Sequence, residues 1–171
     1  MDIYSFPKVT VILRGYTYSQ VRTVVKNLVG TKLQAVEITM NSPDAVSTIE
    51  KITREFGGDI KVGAGTVTTY EQTEAVIDAG AAFILSPTML SKEIFNLCKE
   101  HNVITIPGAF TPTEIMNSFK DGASIVKIFP ARRLGSQYIT DILAPLGKLP
   151  LMVVGGMNQN NRKEYFDAGD S

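Results

Sequence analysis

Short apolar, β-rich runs alternate along this chain with longer mixed segments, one pair roughly every 20 to 25 residues. The strand-like runs are Val9 to Leu13, Ala35 to Met40, Ile60 to Gly63, Ala82 to Leu85, Val103 to Ile106, Ser124 to Phe129 and Leu151 to Val154. Between them, Ser19 to Val29, Pro43 to Phe56, Tyr70 to Ala79, Lys92 to His101, Pro112 to Lys120, Gln137 to Leu143 and Gln159 to Ala168 suit helices. A βα repeat of this length favours a parallel sheet covered by helices, because a parallel return needs a crossover.

Helix starts and stops support the division. Thr111-Pro112-Thr113-Glu114 reads as a capping box with proline in the first turn, and Thr69 to Gln72 as a second box. Ser42-Pro43 has the same cap-then-proline form. Gly80, Gly122 and Gly169 each follow a helical segment, where a left-handed residue ends the helix. The count is seven strands and seven helices, one unit short of an eightfold barrel. The even spacing favours a (βα)8 barrel over an open doubly wound sheet. The expectation is a TIM barrel, residues 1–171 forming one domain, with its last βα unit missing at the C-terminus.

Composition narrows the function classes. Lys plus Arg and Asp plus Glu are 17 each, which argues against a nucleic-acid or anionic-membrane surface. One cysteine, Cys98, rules out an internal disulfide framework. The start has no basic region followed by an apolar run, and no segment approaches a membrane span, so a cytoplasmic enzyme is expected.

The most informative run is Ser124-Ile125-Val126-Lys127-Ile128-Phe129-Pro130. Alternation puts Ile125, Lys127 and Phe129 on one face and Val126 and Ile128 on the other. In a barrel the branched pair meets the helices and Lys127 points inward. Desolvation favours the neutral amine, the form that attacks a ketone to give an imine. A snorkelling lysine on an edge strand is the competing reading. The Ala35 to Met40 run carries Glu37 on a polar face with Thr39 and Asn41. A carboxylate there either moves protons for Lys127 or forms a structural ion pair with it.

Other unusual residues gather at strand C-termini, where barrel active sites lie. Gly63-Ala64-Gly65-Thr66-Val67 lacks the dinucleotide glycine spacing and offers a close backbone approach plus one hydroxyl. Ser86-Pro87 and Ile106-Pro107-Gly108 end two strands, and Gly155-Gly156 offers backbone N–H groups to an anion. Arg14 suits a carboxylate, although a surface arginine reads equally well. His101 suits a helix end and Cys98 a packing face; no cluster has zinc-site spacing and no nucleophilic triad is evident.

In combination, Ile12-Leu13-Arg14-Gly15, Glu37-Ile38-Thr39-Met40, Gly63 to Val67, Leu85-Ser86-Pro87, Ile106-Pro107-Gly108, Val126 to Ala131 and Gly155-Gly156 resemble the aldolases acting on 2-keto-3-deoxy-6-phosphogluconate and 4-hydroxy-2-oxoglutarate. The resemblance implies a (βα)8 barrel, a homotrimer, no metal and no organic cofactor. It implies reversible cleavage of a 4-hydroxy-2-keto acid to pyruvate and an aldehyde, with Lys127 as Schiff-base lysine and Glu37 as general acid and base. Thr66 and the backbone near Pro87 would hold the carboxylate, Arg14 would support the substrate, Phe129 would pack beside the imine, and Gly155 and Gly156 would receive phosphate. Asn41 stands where phosphogluconate-cleaving members commonly have arginine, and Val154 where they have threonine, which weakens a phosphate site and shifts the expectation toward a non-phosphorylated acid such as 4-hydroxy-2-oxoglutarate. A phosphosugar isomerase or epimerase on the same barrel, and a non-catalytic sugar-acid-binding paralogue, are the alternatives.

Overall fold

The computed structural model describes residues 3–169. After a 3-10 turn at Ile3–Ser5 come β1 (Thr10–Leu13), α1 (Tyr18–Leu28), β2 (Ala35–Thr39), α2 (Ala45–Phe56), β3 (Lys61–Gly65), α3 (Tyr70–Asp78), β4 (Phe83–Leu85) and α4 (Lys92–Glu100). Then follow β5 (Ile104–Ile106), β6 (Gly108–Ala109), α5 (Pro112–Asp121), β7 (Val126–Ile128), α6 (Ala131–Leu134), α7 (Ser136–Leu146), β8 (Leu151–Val153) and α8 (Arg162–Asp167).

All strand pairs are parallel, in the order β1-β2-β3-β4-β5 and β6-β7-β8. The two sets form one curved wall. Pro107 divides β5 from β6 because proline has no N–H for the ladder. Its carbonyl still accepts the Lys127 N–H at 2.8 Å, while Thr105 O accepts from Ile125 N–H at 3.2 Å and Ala109 O from Phe129 N–H at 3.1 Å. The seven expected strands are therefore present, the fifth interrupted, in an α/β barrel of the (βα)8 type. Among the described residues no ladder joins β8 to β1, and Ile12, paired with Glu37 on the inner face, is 40% exposed.

Strand alternation sorts the core. Outward Val36, Ile38, Val62, Ala64 and Ile84 pack with the helix residues Val21, Val25, Ile49, Ile52, Val76 and Ile94. Val126, Ile128 and Leu151 pack likewise with Ile115, Ile139, Ile142 and Tyr165. Inward Ala35, Phe83, Leu85, Ile104, Ile106 and Ile125 fill the barrel axis, together with Phe6 from the N-terminal segment. The Phe6 and Phe83 rings meet edge to face with centroids 5.1 Å apart.

Local chemistry sets the helix ends. Thr111 and Glu114 form the expected capping box on α5. Thr69 accepts the Gln72 N–H at 3.2 Å, but the Gln72 side chain reaches back to the Thr68 N–H at 2.9 Å instead of the cap's own. Gly80, Gly122 and Gly169 have φ of 84°, 115° and 107°, the left-handed stops the sequence requires. The expected Ser42-Pro43 cap is not what the structure uses. Helix α2 begins at Ala45 behind Asp44. The Ser42 hydroxyl instead accepts the Gly15 N–H at 2.8 Å.

Candidate active site

The barrel interior changes character toward the C-terminal ends of the strands. Lys127 is the middle residue of β7, one inward position above Ile125, and is 5% exposed. It pairs in register with Gly108 on one side and Met152 on the other. Its Nζ lies 5.1 Å from the Phe129 ring centroid. Gly108 is required by the neighbouring turn: a Cβ there would sit 2.5 Å from the Pro87 carbonyl oxygen.

Glu37 occupies the equivalent inward place on β2, between Ile12 and Gly63, and is 3% exposed. The glycines of β3 make room for it. A Cβ on Gly65 would fall 1.6 Å from Glu37 Oε1. Glu37 Oε2 is buried and has no hydrogen-bond partner among the described residues, which leaves an acceptor free for a ligand's proton.

Lys127 and Glu37 make no direct ion pair among the described residues, yet each acts on the other's titration. Burial raises the Glu37 pKa, opposed by the charges of Lys127 and Arg14. Burial lowers Lys127 to about 8; Glu37 opposes the shift and Arg14 adds to it. Desolvation therefore outweighs the attraction within the pair. The result is an amine that gives up its proton near neutral pH beside a carboxyl group that holds one more readily than usual.

Arg14, just beyond β1, leans over this pair. Its Nη1 donates to Asn41 Oδ1 at 2.8 Å and its Nη2 to Thr66 Oγ1 at 3.4 Å. Thr66 has φ of 60°, an outlier for a β-branched residue. Such a conformation costs about 1–3 kcal/mol and persists only where neighbours impose it. Here Met40 N–H donates to Gly65 O at 2.8 Å and Val67 N–H to Leu85 O at 3.1 Å, one on each side of Thr66.

Gly155 and Gly156 follow β8 with φ of 100° and 90°. They cross close to the turn after β7. A Cβ on Gly155 would meet Pro130 Cα at 3.2 Å, and one on Gly156 would meet Arg132 Cδ at 2.6 Å. Arg132, on α6, thus lays its aliphatic stem over the double glycine; neither it nor α6 is signalled by the strand and helix periodicity. The structure brings Lys127, Glu37, Arg14, Thr66 and Phe129 together, places Pro87 beside Gly108, and sets Gly155 and Gly156 on the β8 side.

Asn41 and Ser42 are the anchors that sequence reading missed, although the Glu37, Thr39, Asn41 alternation had put Asn41 on the polar face. His101 and Cys98 lie elsewhere. His101 ends α4, and Cys98 is packed in the helix layer, where burial pushes its thiol up to about 12. Among the described residues no group of three or more His, Cys, Asp or Glu side chains is arranged for a metal ion, and no helix is long and apolar enough to cross a membrane. A cavity of about 230 Å³ at the N-terminal end of the barrel, lined by residues including Phe6, Ile125, Lys148 and Met152, holds no comparable acid–base pair.

A desolvated amine facing a buried carboxyl group, at the C-terminal end of a barrel, is what carbonyl chemistry through an imine requires. Comparison with known proteins names the class. The family model described as KDPG and KHG aldolase matches residues 3–171, and the chain belongs to this aldolase family. A Rhizobium meliloti protein named probable 2-dehydro-3-deoxy-6-phosphogalactonate aldolase is 38% identical over 159 residues, 92% of this chain and 74% of its own length. The Escherichia coli 2-dehydro-3-deoxy-6-phosphogalactonate aldolase is 33% identical over 92% of this chain and 77% of its own. Among solved structures, one described as native KDPGal superposes with a TM-score of 0.86 at 32% identity, covering 94% of this chain and 78% of the other. The Legionella pneumophila KDPG aldolase, with pyruvate captured as a covalent carbinolamine, gives 0.84 at 25% identity, with coverage of 96% and 79%. The chain is a class I, Schiff-base aldolase acting on 4-hydroxy-2-keto acids.

Proposed function

We propose that Lys127 is the amine that forms the Schiff base and Glu37 the group that moves protons in this aldolase. The observation that carries the reading is the pair itself: a buried lysine lowered to about 8 and a buried glutamate with one oxygen unsatisfied. The neutral Nζ adds to C2 of the keto acid, and Glu37 gives its proton to the departing hydroxyl, so that loss of water leaves an iminium beside the Glu37 carboxylate. The Glu37 carboxylate takes the proton of the C4 hydroxyl. The C3–C4 bond breaks, its electron pair flows into the iminium, and the aldehyde departs. Protonated Glu37 returns its proton to C3 of the enamine, and water then adds to the iminium, releasing pyruvate and the free amine while the proton set free goes back to the Glu37 carboxylate. Thr66 and Arg14, with the backbone beside Pro87, take the carboxylate, which leaves Phe129 packed beside the imine. Reduction with borohydride in the presence of pyruvate, followed by peptide mass analysis, tests the assignment. A stable adduct on Lys127 is the expected result; an adduct on another residue, or none on folded protein, overturns it.

The substrate we propose is 2-dehydro-3-deoxy-6-phosphogalactonate, with its phosphate at the Gly155 and Gly156 amides. The identity of 38% and 33% to two proteins of that name supports this choice. The galacto and gluco substrates differ at C4, the carbon that becomes the aldehyde, so both give the same products. Discrimination therefore rests on how the C4 hydroxyl meets Glu37. Pyruvate release from the two epimers should favour the galacto form by about tenfold or more in kcat/KM. Equal rates, or a preference for 4-hydroxy-2-oxoglutarate, would reject the assignment.

We also propose a homotrimer. Phe110 and Met116 are 44% and 43% exposed, apolar surface of the kind that subunit contacts cover. Sedimentation equilibrium tests this, and a monomer at micromolar concentration rejects it.

A further inference from the structure

Arg14 is an exposed, long side chain just beyond a strand end, yet it is held at both its head and its backbone. At the head, Asn41 Oδ1 accepts from Nη1 at 2.8 Å and Thr66 Oγ1 from Nη2 at 3.4 Å. At the backbone, Ser42 Oγ accepts the N–H of Gly15, the next residue, at 2.8 Å. Ser42 is itself anchored: its hydroxyl lies 2.9 Å from that of buried Thr39, and its N–H donates to Thr39 O at 2.9 Å. Asn41 and Ser42, in the loop after β2, therefore grip Arg14 and Gly15, the two residues after β1.

Both acceptors at the guanidinium are neutral. An amide and a hydroxyl hold the cation in place without cancelling its charge, as an aspartate in place of Asn41 would. We infer that Asn41 and Ser42 form a positioning clamp that fixes the Arg14 charge over the Lys127–Glu37 pair and presents it to the substrate carboxylate. The inference rests on reading Lys127 as the imine-forming residue. The charged groups that act on Lys127 are Glu37 from β2 and Arg14 from the end of β1. Its register partners on the flanking strands, Gly108 and Met152, carry no charge. An arginine released from the clamp leaves Lys127 facing Glu37 alone, which favours the protonated, unreactive amine.

The test is the pH profile of kcat/KM for pyruvate formation. In Asn41→Ala the acidic limb should move to higher pH by about half a unit or more, and KM should rise by about threefold or more, because Arg14 is no longer fixed. Arg14→Ala should move the limb in the same direction, and adding Asn41→Ala to it should move it no further. Ser42→Ala, which loosens Gly15 without touching the guanidinium, should give a smaller shift of the same sign and serves if Asn41→Ala does not fold. A general loss of folded protein would lower the rate at every pH without moving the limb. If wild type traps pyruvate on Lys127 but the limb and KM are unchanged in Asn41→Ala, or if the shift persists in the Arg14→Ala background, the clamp is wrong. If wild type traps nothing on Lys127, the assignment of the lysine fails first.

Discussion

Two residues along the same strands separate two different interiors. The inward side chain changes from Ile125, just before β7, to Lys127 on it, and on β2 from Ala35 to Glu37. On β3 the same device serves both layers: Gly63 clears space for the Phe83 ring, and Gly65 clears space for the Glu37 carboxylate. The lower layer is apolar and closed by Phe6; each large side chain buried there contributes about 1.5–3 kcal/mol. The upper layer buries two ionisable groups and an unsatisfied oxygen, which opposes folding. The difference teaches that stability and chemistry are divided along the barrel axis, and changes at the two levels should separate.

The largest effect should follow Lys127→Met. Aldol activity should fall by about 10³-fold or more, the loss that follows from the proposed role of Lys127 as covalent nucleophile. Stability at neutral pH should rise, by an amount of the order of 3 kcal/mol if the lowering from 10.5 to about 8 is converted directly. The sign follows from linkage. A lysine whose folded pKa is depressed contributes stability that is present above its unfolded value and lost as pH falls through the folded one. The advantage of the variant should therefore be small above pH 10.5, grow between 10.5 and about 8, and level off below. Glu37 works in the opposite sense: its raised pKa contributes stability at acid pH that is lost as pH rises through the folded value. Urea unfolding of both proteins across this range measures the effect. A variant less stable than wild type at neutral pH would break the comparison, since the upper layer would then be part of the scaffold.

The lower layer and the strand order were largely legible in the sequence. Alternation along Ser124 to Phe129 sorted Ile125 from Val126, and the glycine stops sorted strand from helix, because both depend on local geometry. Lys127 and Glu37 were legible for a related reason: a charge inside an apolar strand conflicts with its neighbours, and such conflicts gather where function is. The grip of Asn41 and Ser42 on Arg14 and Gly15 was not. It joins loops 27 residues apart in sequence, and nothing in either loop shows which acceptor the other will find. Ser42-Pro43 misled because its local form is that of a cap, while a backbone N–H from another loop had the stronger need for its hydroxyl. The strand end at Pro107 was legible, but the return of pairing at Gly108–Ala109 was not, since it depends on what β7 offers beyond the proline.

The two β3 glycines give the sharpest and smallest test. In Gly65→Ala the new methyl falls 1.6 Å from Glu37 Oε1 and 2.5 Å from its Cγ. The carboxylate is the end of a flexible chain and can swing aside, so the variant should fold with a stability loss of about 1 kcal/mol or less. It should nevertheless lose about 10²-fold or more in kcat, because the carboxylate proposed to transfer the proton has left its place. In Gly63→Ala the methyl falls 2.3 Å from the Phe83 ring. That ring is fully buried and braced by Phe6, so it has nowhere to turn. Stability should fall by about 1–3 kcal/mol, the range for overpacking a core, while the folded fraction keeps most of its kcat. Unfolding and steady-state rates on the two variants check both halves. If Gly63→Ala loses activity as steeply as Gly65→Ala while still folded, the lower layer is tuning the site as well as supporting it, and the division along the axis is weaker than the side chains suggest.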